Sequence, residues 1–143
     1  MHIYLSEFTH KLHGCDTNGI EELNKHLKEG VFFKSISEAD NYYNIILAPN
    51  ILEHLVNPGL MVDALFEIKF EKMFVLVPNY KVYEQATYEN GIFTEKIHPD
   101  HFCWYSPYTL YNLFKAQIEA GKYDFEMNFF DNRNMVSILI KKL

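Results

Sequence analysis

The sequence predicts an α/β fold, a mostly parallel sheet with helices between its strands and an antiparallel hairpin at its C-terminal end. Three observations predict it. Strand-length and helix-period segments alternate along the chain. Two runs, Tyr43-Asn44-Ile45-Ile46-Leu47-Ala48 and Met73-Phe74-Val75-Leu76-Val77, are continuously apolar, the pattern of parallel strands buried on both faces. The last segments are two strand-like stretches joined by the turn Asp131-Asn132-Arg133-Asn134, too short a link for anything but antiparallel pairing.

The elements follow in order. Residues 17–29 read as a helix: Asn18 with Glu21 forms a capping-box pattern, Ile20, Leu23 and Leu27 share a face, and Gly30 stops it. Val31-Phe32-Phe33 reads as a short strand. Pro49 closes the first long apolar strand, and Asn57-Pro58 opens the next helix, with Asn as cap and Pro in the first turn. Met61, Ala64, Leu65 and Ile68 recur at helical spacing before the second apolar strand, which Pro78-Asn79 ends. Residues 80–105 are aromatic and irregular with a turn at Asn90-Gly91, and a loop that long inside a compact domain usually carries function. Ser106-Pro107 starts a helix with Leu110, Leu113, Phe114 and Ile118 on its apolar face, and Gly121 ends it. Tyr123, Phe125, Met127 and Phe129 then alternate with polar residues, a strand with one buried face, and Val136-Ser137-Ile138-Leu139-Ile140 returns beside it.

Composition sets limits on function. The 143 residues suit a single domain spanning 1–143. The 48% hydrophobic and 22% charged content is globular rather than disordered. A formal net charge of -6 with scattered cations argues against nucleic acid as a ligand. No apolar run approaches the ~20 residues of a spanning helix. The N-terminus shows no secretory signal pattern, and two cysteines, Cys15 and Cys103, make a poor disulfide framework, so a cytoplasmic setting is expected. Neither cysteine has a base beside it in sequence to make it a nucleophile.

In a mostly parallel sheet, ligands sit beyond the carboxyl ends of the strands. That rule selects Cys15-Asp16, Ser35, the stretch from Ala48 to His54, and Pro78-Asn79.

Four segments in order resemble class I S-adenosylmethionine-dependent methyltransferases of the type 11 kind. The run from Tyr43 through Leu52-Glu53-His54 to Asn57-Pro58 is similar to the family's fourth strand and the Leu-Glu-His turn after it. Met73 to Asn79 resembles the fifth strand, and His101-Phe102-Cys103-Trp104-Tyr105-Ser106-Pro107-Tyr108-Thr109-Leu110 resembles a late segment of many members. His13-Gly14-Cys15-Asp16 is similar to the second-strand motif whose acid holds the cofactor ribose. The resemblance implies a Rossmann-like sheet of strand order 3-2-1-4-5-7-6. It implies S-adenosylmethionine as cofactor, with Asp16, Ala48 and Asn50 on the cofactor side. It assigns His54 and His101 to catalysis, as acceptors of the proton lost on methylation, and Trp104 and Tyr105 to the acceptor substrate, a small molecule or glycan with a hydroxyl or amine.

The family's first strand ends in Gly-x-Gly-x-Gly, where a side chain would block the cofactor. The six glycines here include no such triplet. Asn44 stands in place of the usual acid, residues 33–37 lack the acid that meets adenine, and residues 3–9 resemble the tail of the helix after the missing loop. The expectation is a truncated or degenerate chain lacking the usual first strand, with impaired activity by itself. The alternative is a non-catalytic module that completes its sheet by homodimerisation or with a partner chain at exposed edges. Glu53 reads as a solvated or helix-orienting acid. His98, His101 and Cys103 form a metal-like spacing without a fourth ligand, so no metal is expected.

Overall fold

The structure is a computed structural model that describes residues 12–16, 20–25, 30–39, 42–80, 87–89, 92–94 and 100–143. They fall in two compact units, Met1–Asn41 and Tyr42–Leu143. The expected tail at residues 3–9, the capping pattern at Asn18, the Asn90-Gly91 turn and His98 lie outside the described residues.

In the first unit, β1 (Leu12–Cys15) and β2 (Gly30–Phe33) pair in parallel, from Leu12 opposite Gly30 to Cys15 opposite Phe33. Between them, α1 spans Ile20–Lys25. Gly14 is required by packing: a Cβ there would lie 2.2 Å from Cε1 of the buried Phe32 ring. Asn24 of α1 fixes the strand, its Oδ1 accepting from the Phe32 amide at 2.7 Å and its Nδ2 donating to the Phe32 carbonyl at 3.4 Å. Ser35 caps the short 3-10 turn Ile36–Glu38 in a capping box with Glu38, so its side chain serves the backbone.

The second unit is built on a four-stranded sheet. Its strands are β3 (Tyr42–Pro49), β4 (Lys69–Pro78), β7 (Tyr123–Phe130) and β8 (Met135–Lys142), in the order β3-β4-β8-β7. The β3–β4 pair is parallel, with Ala48 opposite Val75; β8 runs antiparallel to both β4 and β7. This is the 4-5-7-6 part of the expected order. Helices α2 (Pro58–Glu67) and α3 (Pro107–Gln117) supply Val62, Leu65, Leu110 and Phe114 to a core completed by Met73, Val75, Val77, Val136, Ile138 and Ile140. Within the stretch expected to be irregular, β5 (Thr87–Glu89) and β6 (Ile92–Thr94) form an antiparallel pair.

Local chemistry explains the boundaries. Ser106 Oγ accepts the Thr109 amide and Thr109 Oγ1 accepts the Ser106 amide, a reciprocal cap that starts α3. After a π-type turn over Ile118–Lys122, Gly121 at φ 75° reverses the chain, a backbone value that a side chain would strain. Asp131, Asn132 and Arg133 all adopt positive φ in the β7–β8 turn. Asn57 precedes Pro58 at the start of α2, but its side chain makes no capping bond, contrary to expectation.

One expectation is overturned. The apolar run of β3 predicted burial on both faces, yet Tyr42, Ile45 and Leu47 are 54%, 48% and 39% exposed. Among the described residues β3 has a ladder on one side alone, with β4, while β4 and β8 each have two. Hydrophobicity recorded the strand; its flanking partners decide its burial.

Candidate functional site

Beyond the carboxyl ends of β3 and β4, two loops of the second unit fasten to each other. Asn50 leaves β3 at φ 52°, its amide donating to the Leu76 carbonyl at 2.8 Å. The chain then makes a 3-10 turn over Leu52–His54. Residues 100–105 lie across this turn. The amides of Phe102 and Cys103 both donate to the Glu53 carbonyl, at 2.7 and 3.1 Å. The Tyr105 hydroxyl donates to the Leu52 carbonyl at 3.3 Å and the Cys103 thiol to the Leu55 carbonyl at 3.4 Å. Tyr105 also bridges Asn79, in parallel register, at the end of β4. The buried Asn79 anchors the neighbouring turn, its amide donating to the Asn134 carbonyl at 2.8 Å and its Nδ2 to that of Arg133 at 2.9 Å.

This clamp brings three ionisable side chains together. The rings of His54 and His101 meet edge to face, with centroids 4.7 Å apart and planes at 83°. Nδ1 of His54 lies 3.2 Å from the Asp100 carbonyl oxygen. A carbonyl can only accept, so Nδ1 carries the proton and Nε2 is the nitrogen with a lone pair in the neutral ring. One donor atom from each of Glu53, His54 and His101 falls within 4.8 Å of the others.

Glu53 is the residue that sequence reasoning misjudged. It is 1% exposed, not solvated, and its Oε2 is buried without a hydrogen-bond partner. Burial holds its carboxyl above the usual carboxylate range, with its own backbone amide and the charge of His54 opposing. The spacing of His98, His101 and Cys103 had drawn attention to neighbours in sequence, whereas the partners of His101 come from the distant turn after β3. A Leu-Glu-His triplet directly after an apolar strand was the signal for it.

The remaining predicted residues separate by position. Ala48 is buried at the end of β3 and Asn50 is exposed just beyond it. Asp16 follows β1 in the first unit, its amide donating to the Phe33 carbonyl at 3.1 Å. Trp104 is 50% exposed on the crossing segment, beside the exposed Phe102. Tyr105 is 5% exposed with its hydroxyl engaged, which puts it in the core as a support for the Leu52 turn rather than on an acceptor-facing surface. Burial, followed by the charges of Cys103 and Glu53, raises its hydroxyl above the ordinary tyrosine range. Cys15 is likewise pushed up, by burial and then by Asp16 and Glu38, the opposite of what a nucleophilic thiol needs. A hollow lined by Tyr42, Phe70, Glu71 and Lys141 lies at the other end of β3 and β4, away from these groups.

The strand order and the loops at the carboxyl ends define a methyltransferase-like α/β fold. Solved structures share it. The plantazolicin methyltransferase BpumL, in complex with a pentazolic desmethylPZN analog and SAH, aligns with 97% of this chain and 70% of its own at 12% identity and a TM-score of 0.72. A SAM-dependent methyltransferase from Aquifex aeolicus aligns with 98% and 74% at 14% identity and a TM-score of 0.63. A chain of the Pnkp1/Rnl/Hen1 RNA repair complex aligns with 94% of this chain at 15% identity and a TM-score of 0.70, and this chain spans 32% of its length. Identities this low speak to fold. No family model and no curated protein matches the sequence.

Proposed function

We propose that this chain is a methyltransferase-type protein that transfers a methyl group from S-adenosylmethionine to a hydroxyl or amine of a small-molecule or glycan acceptor. The observation that carries the reading is the meeting of His54 and His101 beyond the carboxyl ends of β3 and β4, on a methyltransferase-like sheet. Methyl transfer depends mainly on holding donor and acceptor in line. An imidazole near the acceptor takes the proton released as the carbon–oxygen or carbon–nitrogen bond forms and the carbon–sulfur bond breaks. Ala48 and Asn50 are the proposed cofactor contacts of the second unit and Trp104 the acceptor-facing surface; Asp16, on the first unit, is proposed for the cofactor from the resemblance alone. A net charge of -6 favours acceptors other than polyanions.

A second reading, a non-catalytic module that completes its sheet with another chain, is favoured by β3. Among the described residues, that strand pairs with β4 alone and Ile45 and Leu47 are exposed, an edge that invites pairing. Isothermal titration with S-adenosylmethionine, combined with light scattering across a concentration series, separates the two. Micromolar binding supports the enzyme. Absence of heat together with a concentration-dependent dimer supports the module and ends the first reading.

A further inference from the structure

We propose that Glu53, His54 and His101 form a binding site for a divalent transition-metal ion of the zinc type. The inference rests on their geometry, and it gives the two imidazoles a role as ligands in place of the proton-accepting role in the methyl-transfer reading.

Two imidazoles and one carboxylate are a donor set suited to zinc and its first-row neighbours, and poorly suited to magnesium or calcium, which favour all-oxygen shells. One donor atom from each residue already lies within 4.8 Å of the other two. Ligands around a tetrahedral zinc stand roughly 3.4 Å apart, given bond lengths of about 2.1 Å. The donors therefore need to close by on the order of 1.5 Å, a distance that side-chain rotation at the exposed His54 and half-buried His101 can supply.

Three features mark the site as built. Glu53 is buried, 1% exposed as a residue, and its Oε2 has no hydrogen-bond partner, so an acceptor sits buried beside two imidazoles. The Asp100 carbonyl takes the Nδ1 proton of His54, the kind of backbone contact that fixes the ring of many metal-bound histidines. The backbone carrying His101 is fixed to the backbone carrying Glu53 and His54 by the paired Phe102 and Cys103 amides on the Glu53 carbonyl, so the loops are organised before any ion arrives. Three protein ligands leave at least one coordination position for water or a substrate oxygen. An oxygen bound there becomes a stronger acid. With the ion in place both imidazoles are ligands, and this acidification replaces their use as proton acceptors.

The test uses the full chain, stripped with chelator and titrated with zinc alone against a chromophoric competitor, then with cobalt(II) for its visible spectrum. The wild-type protein should bind one equivalent of zinc and give the intense visible absorption of low-coordinate cobalt. Glu53→Gln and His101→Ala should each weaken zinc binding by at least about 100-fold, since even outer-shell losses at metal sites cost 10- to 100-fold. Cys103→Ser should leave stoichiometry and spectrum unchanged. Circular dichroism confirms that each variant is folded; if His101→Ala is not, His101→Gln takes its place. Substoichiometric zinc in the wild type, or equal affinity in folded Glu53→Gln, overturns the proposal. S-adenosylmethionine is absent throughout, so a negative result here leaves the methyl-transfer reading to its own titration.

Discussion

Replacing Glu53 with Gln should stabilise the metal-free protein, increasingly so as pH rises. Glu53 is 1% exposed and its Oε2 lacks a partner, so the folded state resists its ionisation and its pKa lies above the ordinary Glu value. Between those two values the folded state binds more protons than the unfolded one, and stability falls as pH rises. Below the ordinary Glu value both states are protonated and the penalty vanishes; above the raised value it is complete. A buried acceptor left unpaired costs about 1–3 kcal/mol and a charged one more, whereas Gln places a neutral group of equal size there. The expected gain is about 1–2 kcal/mol on the alkaline side. With about 2.1 cal/mol/K of unfolding entropy per residue, that is a rise of roughly 5–10 °C for a unit of this size. His54, His101 and Tyr105 face the same carboxyl, so the comparison of wild type with variant reads Glu53 together with its coupling to these neighbours. The assay is thermal melting in chelator, from below the ordinary Glu value to slightly alkaline pH. Parallel melting curves at every pH, or a destabilised variant at the alkaline end, would refute the reasoning.

Gly14→Ala should destabilise the first unit by about 1–3 kcal/mol, because its methyl would enter the Phe32 ring and overpack the β1–β2 pair; Phe32→Leu in the same chain should recover part of the loss in hydrogen exchange of the β2 amides. Ser106→Ala removes one half of a reciprocal cap and should cost about 1 kcal/mol, read as a lower denaturation midpoint at unchanged slope.

The sequence disclosed most of what local chemistry specifies. Ser106 and Gly121 delimit α3 because an N-cap and a positive φ are written in single residues, and the β7–β8 hairpin follows from one short turn. What it concealed depends on distant segments. An apolar run such as β3 shows that a strand forms, but no local signal says which strands lie beside it, and Ile45 and Leu47 are exposed. Glu53 resembles any surface acid until residues 100–103 fold across it, and Tyr105 resembles a pocket aromatic until its hydroxyl finds the Leu52 carbonyl. The histidine pair was legible as two separate positions; its third member was not.

The way those loops are joined ties the chemistry to the fold. The carbonyls of Leu52, Glu53 and Leu55 all point at residues 102–105, and all accept hydrogen bonds from them. A turn that short exposes unpaired carbonyls when left alone, and the crossing segment satisfies them. Tyr105 in turn is tied to β4 through Asn79, one of the best-buried polar residues described. The line from β4 to Asn79, Tyr105, the Leu52 turn and the His54–His101 contact is therefore continuous. Loosening any link should move the two imidazoles apart before it unfolds the sheet, because the β4–β8 core does not depend on that segment for its own ladders. The geometry of the site is thus set by hydrogen bonds onto the carbonyls of residues 52–55, two from backbone amides and two from the side chains of Cys103 and Tyr105.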